Sequence, residues 1–229
     1  MTVVVEFCGE KFLVAPGESF SIGRESDLVI DDNPYLHRRF LVISGDDSMW
    51  WIANVGSQLS ATFADADGTL QAWLAPGARL PIVFANSSVW FTAGPTTYEF
   101  DIALPEAPFT ITVPDSPTVG STTTGRTSLT PEQRLLLVAL AEPMLRRRAR
   151  GAVNAPSSAE AAARLGWTIT KFNRKLDNVC QKLARMGVRG LHGGPESLAT
   201  DRKGRLIEYA LATRIVDVKD LKLLEVEDQ

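Results

Sequence analysis

The sequence predicts an α+β chain in two domains, an all-β sandwich over residues 1–104 and an all-α bundle over residues 129–229. Three observations carry this. Short β-rich segments separated by turn signals fill the first half. Helical spacing takes over after residue 129. The charge also reverses: residues 1–114 hold five Lys/Arg against fourteen Asp/Glu, a net of −9, and residues 115–229 hold nineteen against thirteen, a net of +6. One surface should repel phosphates and the other attract them.

The β elements follow in order. Val3, Val5 and Phe7 alternate with Thr2, Val4 and Glu6, the period of a strand with one drier face. Lys11–Val14, Ser19–Ile22, Phe40–Ile43, Trp50–Ala53, Leu80–Phe84, Ser88–Thr92 and Thr97–Ile102 are further short β-rich runs. Pro16-Gly17, Gly45-Asp46-Asp47, Asp67-Gly68, Pro76-Gly77 and Gly94-Pro95 mark turns between them. Many short strands at this spacing indicate a sandwich or barrel. Residues 105–128 combine four prolines with a Ser/Thr/Gly run, a composition that cannot bury a core, so a flexible linker is expected there.

The helical elements have their own punctuation. Thr130 is a natural N-cap, Pro131 occupies the first helical position and Gln133 can close a capping box. Pro143 should kink or end that helix, ahead of the basic run Arg146-Arg147-Arg148-Ala149-Arg150. Ser157 or Ser158 caps a short helix through Leu165, which Gly166 ends. Thr168 or Thr170 then opens a longer helix to about Met186. Its residues Ile169, Phe172, Leu176, Val179, Cys180 and Leu183 form one apolar face. Two weaker helices are expected over Arg202–Thr213 and Val218–Leu224.

The segment Phe20-Ser21-Ile22-Gly23-Arg24-Glu25-Ser26-Asp27, followed by Leu36-His37-Arg38-Arg39-Phe40 and Trp51-Ile52-Ala53-Asn54-Val55-Gly56-Ser57, resembles the forkhead-associated (FHA) domain over about residues 1–104. The resemblance implies a phosphothreonine-binding β-sandwich. It makes Arg24 the phosphate-contacting arginine, and a planar, permanently charged guanidinium suits that task. His37 stands where the family has its phosphate-binding Ser, and a His donates more strongly when protonated. Phe40 replaces the family's structural His, and Leu59-Ser60-Ala61 replaces its Asn-Gly-Thr. Arg38, Arg39 and Ser57 are helpers. The candidate phosphopeptide site is therefore Arg24, His37, Arg38 and Ser57. The competing reading is a retained scaffold that binds a protein without phosphate, with Arg24 paired to Glu25 or Asp27. The linker threonines Thr122, Thr123 and Thr124 are candidate phosphosites, which would make the chain's own linker a ligand in cis.

Ser157 to Arg185 resembles a helix-turn-helix of bacterial transcription regulators, with Gly166-Trp167-Thr168 as the turn. The second helix of such a unit lays its N-terminal half in the major groove of duplex DNA. Thr170, Lys171, Asn173, Arg174, Asn178 and Lys182 lie mostly opposite the apolar face, where they can bond base edges and phosphates. Arg146, Arg147 and Arg148 are candidate backbone clamps. Residues 126–214 hold seventeen basic and seven acidic residues, a net of +10. The combination resembles actinobacterial signalling regulators. The alternative is a protein–protein adaptor whose basic bundle docks on an acidic partner.

Several classes are set aside. Two Cys in separate halves make no disulfide framework and fit a reducing cytoplasm. Both are expected to be small buried residues. No apolar run approaches the ~20 residues of a membrane span. With two His and no Gly-rich phosphate loop, no catalytic set, metal site or cofactor is expected. The expected partners are double-stranded DNA and a phosphothreonine protein or the chain's own linker, and paired DNA half-sites would favour a homodimer.

Overall fold

The computed structural model describes residues 2–45, 48–68, 70–108, 129–146, 151–191 and 199–225. The strands of the first half are β1 (Val3–Phe7), β2 (Glu10–Val14), β3 (Ser19–Gly23), β4 (Leu28–Val29), β5 (Leu41–Gly45), β6 (Trp50–Asn54), β7 (Ala61–Asp65), β8 (Gln71–Leu74), β9 (Arg79–Ile82), β10 (Asn86–Ala93) and β11 (Thr96–Ala103). After them come α1 (Pro131–Arg146), β12 (Ala152–Asn154), α2 (Ser158–Arg164), α3 (Ile169–Arg185), α4 (Ala199–Ala212) and a 3-10 helix, Val218–Leu224.

The first half is a β-sandwich. One sheet runs β2-β1-β11-β10-β7-β8, and the other runs β4-β3-β5-β6-β9. Val5, Ile22, Leu41, Ile43, Trp50, Ile52, Phe91, Phe100 and Ile102 fill the space between them. β1 and β6 show the alternation expected of strands with one face on a core. Between β1 and β2, Cys8 and Gly9 form a two-residue turn with φ of 52° and 87°. That places Cys8 on the surface and corrects the expectation that it is buried. Cys180 is buried in α3 as expected, and burial pushes its thiol up to about 11.

Local signals set the helix ends. The Thr130 amide donates to Gln133 Oε1 at 3.0 Å and the Gln133 amide to Thr130 Oγ1 at 3.2 Å, the two bonds of a capping box. Pro143 lies inside α1, but only one turn from its end, so α1 reaches Arg146. Ser157 caps α2 and Thr168 caps α3.

The helical half is not separate from the sandwich. β12 pairs antiparallel with the first part of β11, through Thr96–Asn154, Thr97–Val153 and Tyr98–Ala152. It fills the length of β11 that β1 leaves open, since β1 pairs only with Asp101–Ala103. An all-α C-terminal half is therefore corrected at this strand. α4 packs across the outer faces of β10 and β7. Ala64 and Trp90 of those strands join the helical core with Leu136, Leu140, Phe172, Leu183, Leu206 and Ala210. Gly204 of α4 sits so close to β10 that a Cβ there would lie 2.5 Å from Thr92 Cγ2. Arg205 and Glu208 are buried in this seam. Arg205 donates to Thr62 Oγ1 and lies 3.3 Å from Glu208 Oε2. All five residues of β7 are consequently buried, one face by the sandwich core and the other by helices.

Candidate functional site

Three loops meet at one end of the sandwich: β3–β4 with Arg24, β4–β5 with His37 and Arg38, and β6–β7 with Ser57. Their backbones bond to one another. The Arg24 amide donates to His37 O at 2.9 Å and the Glu25 amide to Arg38 O at 2.8 Å. Ser26 Oγ donates to the same Arg38 oxygen at 2.8 Å. Only a residue without a side chain permits this approach, because a Cβ on Gly23 would lie 2.3 Å from Arg38 O.

Arg24 is the pivotal cation. Its side chain is 25% exposed, and its terminal nitrogen lies 4.0 Å from Glu25 Oε1, at the outer limit of an ion pair. Its Nε is buried and makes no hydrogen bond. A buried unspent donor is costly, and it marks a place where a ligand acceptor would be favoured. Asp27 does not compete for Arg24. Its carboxylate accepts from the Ser21 hydroxyl at 2.6 Å and the Ser21 amide at 2.8 Å. Those bonds to Ser21 hold the Asp27 carboxyl below the usual carboxylate range. Arg38 is exposed and bonds Glu25 at 3.2 Å, an exposed pair worth little that a stronger anion would displace.

His37 is engaged differently from the sequence expectation. Its Nε2 accepts the Ser57 amide N–H at 3.0 Å and lies 3.3 Å from Ser57 Oγ. Accepting that bond requires a neutral ring protonated at Nδ1. Burial lowers its pKa and favours the same neutral form. His37 thus sets the position of Ser57, and Ser57 presents the hydroxyl. The ring stacks on Phe40, which is fully buried, with centroids 5.8 Å apart.

Asn54 was not singled out from the sequence, yet it holds the third loop in place. Its Nδ2 donates to Leu59 O at 2.8 Å and Leu74 O at 3.0 Å, and its Oδ1 accepts from the Gly56 amide at 3.0 Å. The available signal was an Asn at a strand end, directly before Val55-Gly56.

In the helical half, α2 and α3 are joined by a short turn in which Gly166 has φ of 62°. Thr170, Asn173, Arg174 and Asn178 are exposed on α3, opposite buried Phe172, Leu176, Val179 and Leu183. Lys182 is half-buried. Lys171 lies 3.1 Å from Glu132 Oε1 and 4.1 Å from the Trp167 ring centroid, and Lys175 bonds the other oxygen of Glu132. Hydrogen bonds from Lys175 and Lys171 lower the Glu132 pKa. Two bases of the expected reading helix are thus spent on α1. Arg146 bonds Glu142 at 2.7 Å, and Arg164 bonds the same carboxylate at 3.0 Å. Arg147 and Arg148, with the linker threonines Thr122, Thr123 and Thr124, lie outside the described residues.

Among the described residues no three His, Cys, Asp or Glu side chains gather to hold a metal ion. No helix there is long and apolar enough to cross a membrane.

No family model and no curated protein matches the chain. Among solved structures, the chain is similar to the FHA-1 domain of Mycobacterium tuberculosis Rv1747. Identity is 16% and the TM-score 0.34, over 44% of this chain and 94% of that one. It is also similar to the FHA domain of an Arabidopsis thaliana hypothetical protein, at 16% identity and a TM-score of 0.35, over 52% of this chain and 91% of that one.

Proposed function

We propose that this protein is a non-enzymatic regulator. Its sandwich loops bind a phosphothreonine peptide, and its helical half binds double-stranded DNA. The observation that carries the first part is the convergence of Arg24, Arg38 and the Ser57 hydroxyl from three loops, with Arg24 Nε buried and unspent. A phosphate takes a forked guanidinium and a hydroxyl donor well. The anion would displace the weak Glu25 contacts and give that buried donor its acceptor.

The experiment compares matched peptides with phosphorylated and plain Thr by fluorescence anisotropy on the full chain. The reading requires a preference for the phosphorylated form, lost in Arg24→Ala. Equal binding of the two peptides would remove it.

The second part rests on α3, which has one apolar face against the bundle and an exposed face of Thr170, Asn173, Arg174 and Asn178. Asn and Arg suit adenine and guanine edges in the major groove. Selection from a random duplex pool should return one enriched motif, which Asn173→Ala and Arg174→Ala relax. The adaptor reading is favoured by a different observation, the pairing of Lys171 and Lys175 with Glu132, which withdraws charge that DNA would use. Recovery of no motif would select it.

A further inference from the structure

The β4–β5 loop is tied at both ends. Its far end, Asp31 to Tyr35, is held by a hydrogen-bonded brace. The Tyr98 hydroxyl donates to Asp31 Oδ2 at 2.7 Å. Asn33 Nδ2 donates to the Tyr98 hydroxyl at 2.8 Å and to Ala93 O at 2.9 Å. Tyr35 covers Gly94, where a Cβ would lie 2.5 Å from the Tyr35 ring. Burial pushes the Tyr98 hydroxyl up to about 12, so it stays a donor at neutral pH.

The near end reaches the same tyrosine by packing. The rings of His37, Phe40, Phe91 and Tyr98 form a continuous row, with successive centroids 5.8, 4.9 and 5.1 Å apart. Tyr98 is fully buried at the end of that row.

On the other side, the Tyr98 backbone pairs with Ala152 of β12. Thr96 Oγ1 donates to Asn154 Oδ1 at 2.7 Å, and the Ala155 amide donates to Pro95 O at 3.0 Å. β12 runs directly into the Ser157 cap of α2. A single residue therefore touches the loop that carries His37 and Arg38 and also the strand from which α2 and α3 hang.

We propose that Tyr98 is a positioning residue that couples the β4–β5 loop to the β11–β12 seam, so that order in the loop and docking of the helical half support each other. The role of a phosphothreonine peptide as the signal rests on the function proposed above; the link from loop to seam does not. Coupling between sites is reciprocal, so a peptide that orders the loop tightens the seam, and a docked seam raises peptide affinity.

The test is amide hydrogen exchange on the full chain, residue by residue. Tyr98→Phe keeps the ring and deletes the hydroxyl. Exchange should quicken by about 5-fold or more, the low end of measured site coupling, both at the amides of Asp31, Asp32, Asn33 and Tyr35 and at those of residues 152–154. The β5–β6 pair Ile43–Ile52, in the other sheet from Tyr98, should not change and reports global stability. Asp31→Ala, at an exposed position, removes the acceptor without touching the core and should do the same, while Asp31→Asn should restore slow exchange. A quickened loop with an unchanged β12 would overturn the proposal, and so would a uniform change that includes β5–β6. Added phosphothreonine peptide should slow exchange at 152–154 in the parent chain but not in Tyr98→Phe. Binding of the peptide with no change at β12 would overturn the coupling and leave the phosphate reading standing. No binding, with the Tyr98→Phe result intact, would do the reverse.

Discussion

The imidazole Nε2 of His37 accepts the amide N–H of Ser57 at 3.0 Å, so a ring on one loop sets the place of a hydroxyl on another. The bond exists only while the ring is neutral. The unfolded imidazole takes its proton near pH 6.5, and the folded one only at lower pH, because burial disfavours the cation. Between those values the unfolded chain binds more protons than the folded one, so stability rises with pH. The contact contributes fully above about pH 6.5 and is lost as pH falls below it. An NMR titration of the ligand-free chain should place the His37 midpoint under 6.5, with the Ser57 amide moving in step. A midpoint above 6.5 would mean the ring is stabilised as a cation.

Gly23→Ala tests the junction of the loops. A Cβ there meets backbone, Arg38 O at 2.3 Å, which cannot swing aside as a side chain could. Overpacking of this kind costs about 1–3 kcal/mol. Urea unfolding should show that loss, and peptide binding should fall further because Arg24 and Arg38 separate.

Gly204→Ala sets two effects against each other. Ala gains about 1 kcal/mol in a helix interior, but its Cβ would lie 2.5–2.8 Å from Cγ2, Oγ1 and Cβ of Thr92. The clash falls on a short β-branched side chain, so overpacking wins and the variant should be less stable. A higher melting temperature would show that α4 can lift from β10 without loss.

Arg205→Ala strands Glu208 in the seam. Glu208 is fully buried, and burial raises its pKa even with Arg205 beside it. Losing one partner of a buried pair costs about 3–5 kcal/mol. A folded carboxyl with a raised pKa prefers its proton, so its stabilising effect is present at acid pH and lost as pH rises. Unfolding of Arg205→Ala should therefore show a larger deficit at neutral than at acid pH. Arg205→Met with Glu208→Leu should recover most of it.

Glu132→Gln releases Lys171 and Lys175 from their shared carboxylate. On the DNA reading, retention on duplex DNA should tighten and its logarithmic salt slope steepen by about 1–2. An unchanged slope would favour the adaptor reading.

Much of the fold was legible because it is written in local chemistry. The Thr130–Gln133 box, the Ser157 and Thr168 caps and the apolar face of α3 depend on residues within a turn or two of each other. The strands with one wet face, such as β1 and β6, announced themselves by alternation. β7 did not, because helices cover its outer face and leave Ala61-Thr62-Phe63-Ala64-Asp65 without a polar period. β12 was missed for a related reason: three residues carry no pattern, and only β11 makes them a strand.

The site divides the same way. Arg24, Ser57 and the choice of Glu25 or Asp27 as the partner of Arg24 could be named from the sequence, but the bond from the Ser57 amide to His37 could not. By itself the sequence determined two kinds of secondary structure, their caps and a reversal of charge, all consequences of neighbours along the chain. Tertiary structure decided that His37 is an acceptor, that Lys171 and Lys175 are spent on Glu132, and that α4 and β12 bind the halves together. Those outcomes depend on which groups meet across twenty or more residues of chain and on which of several charges lies nearest, and no local periodicity encodes either.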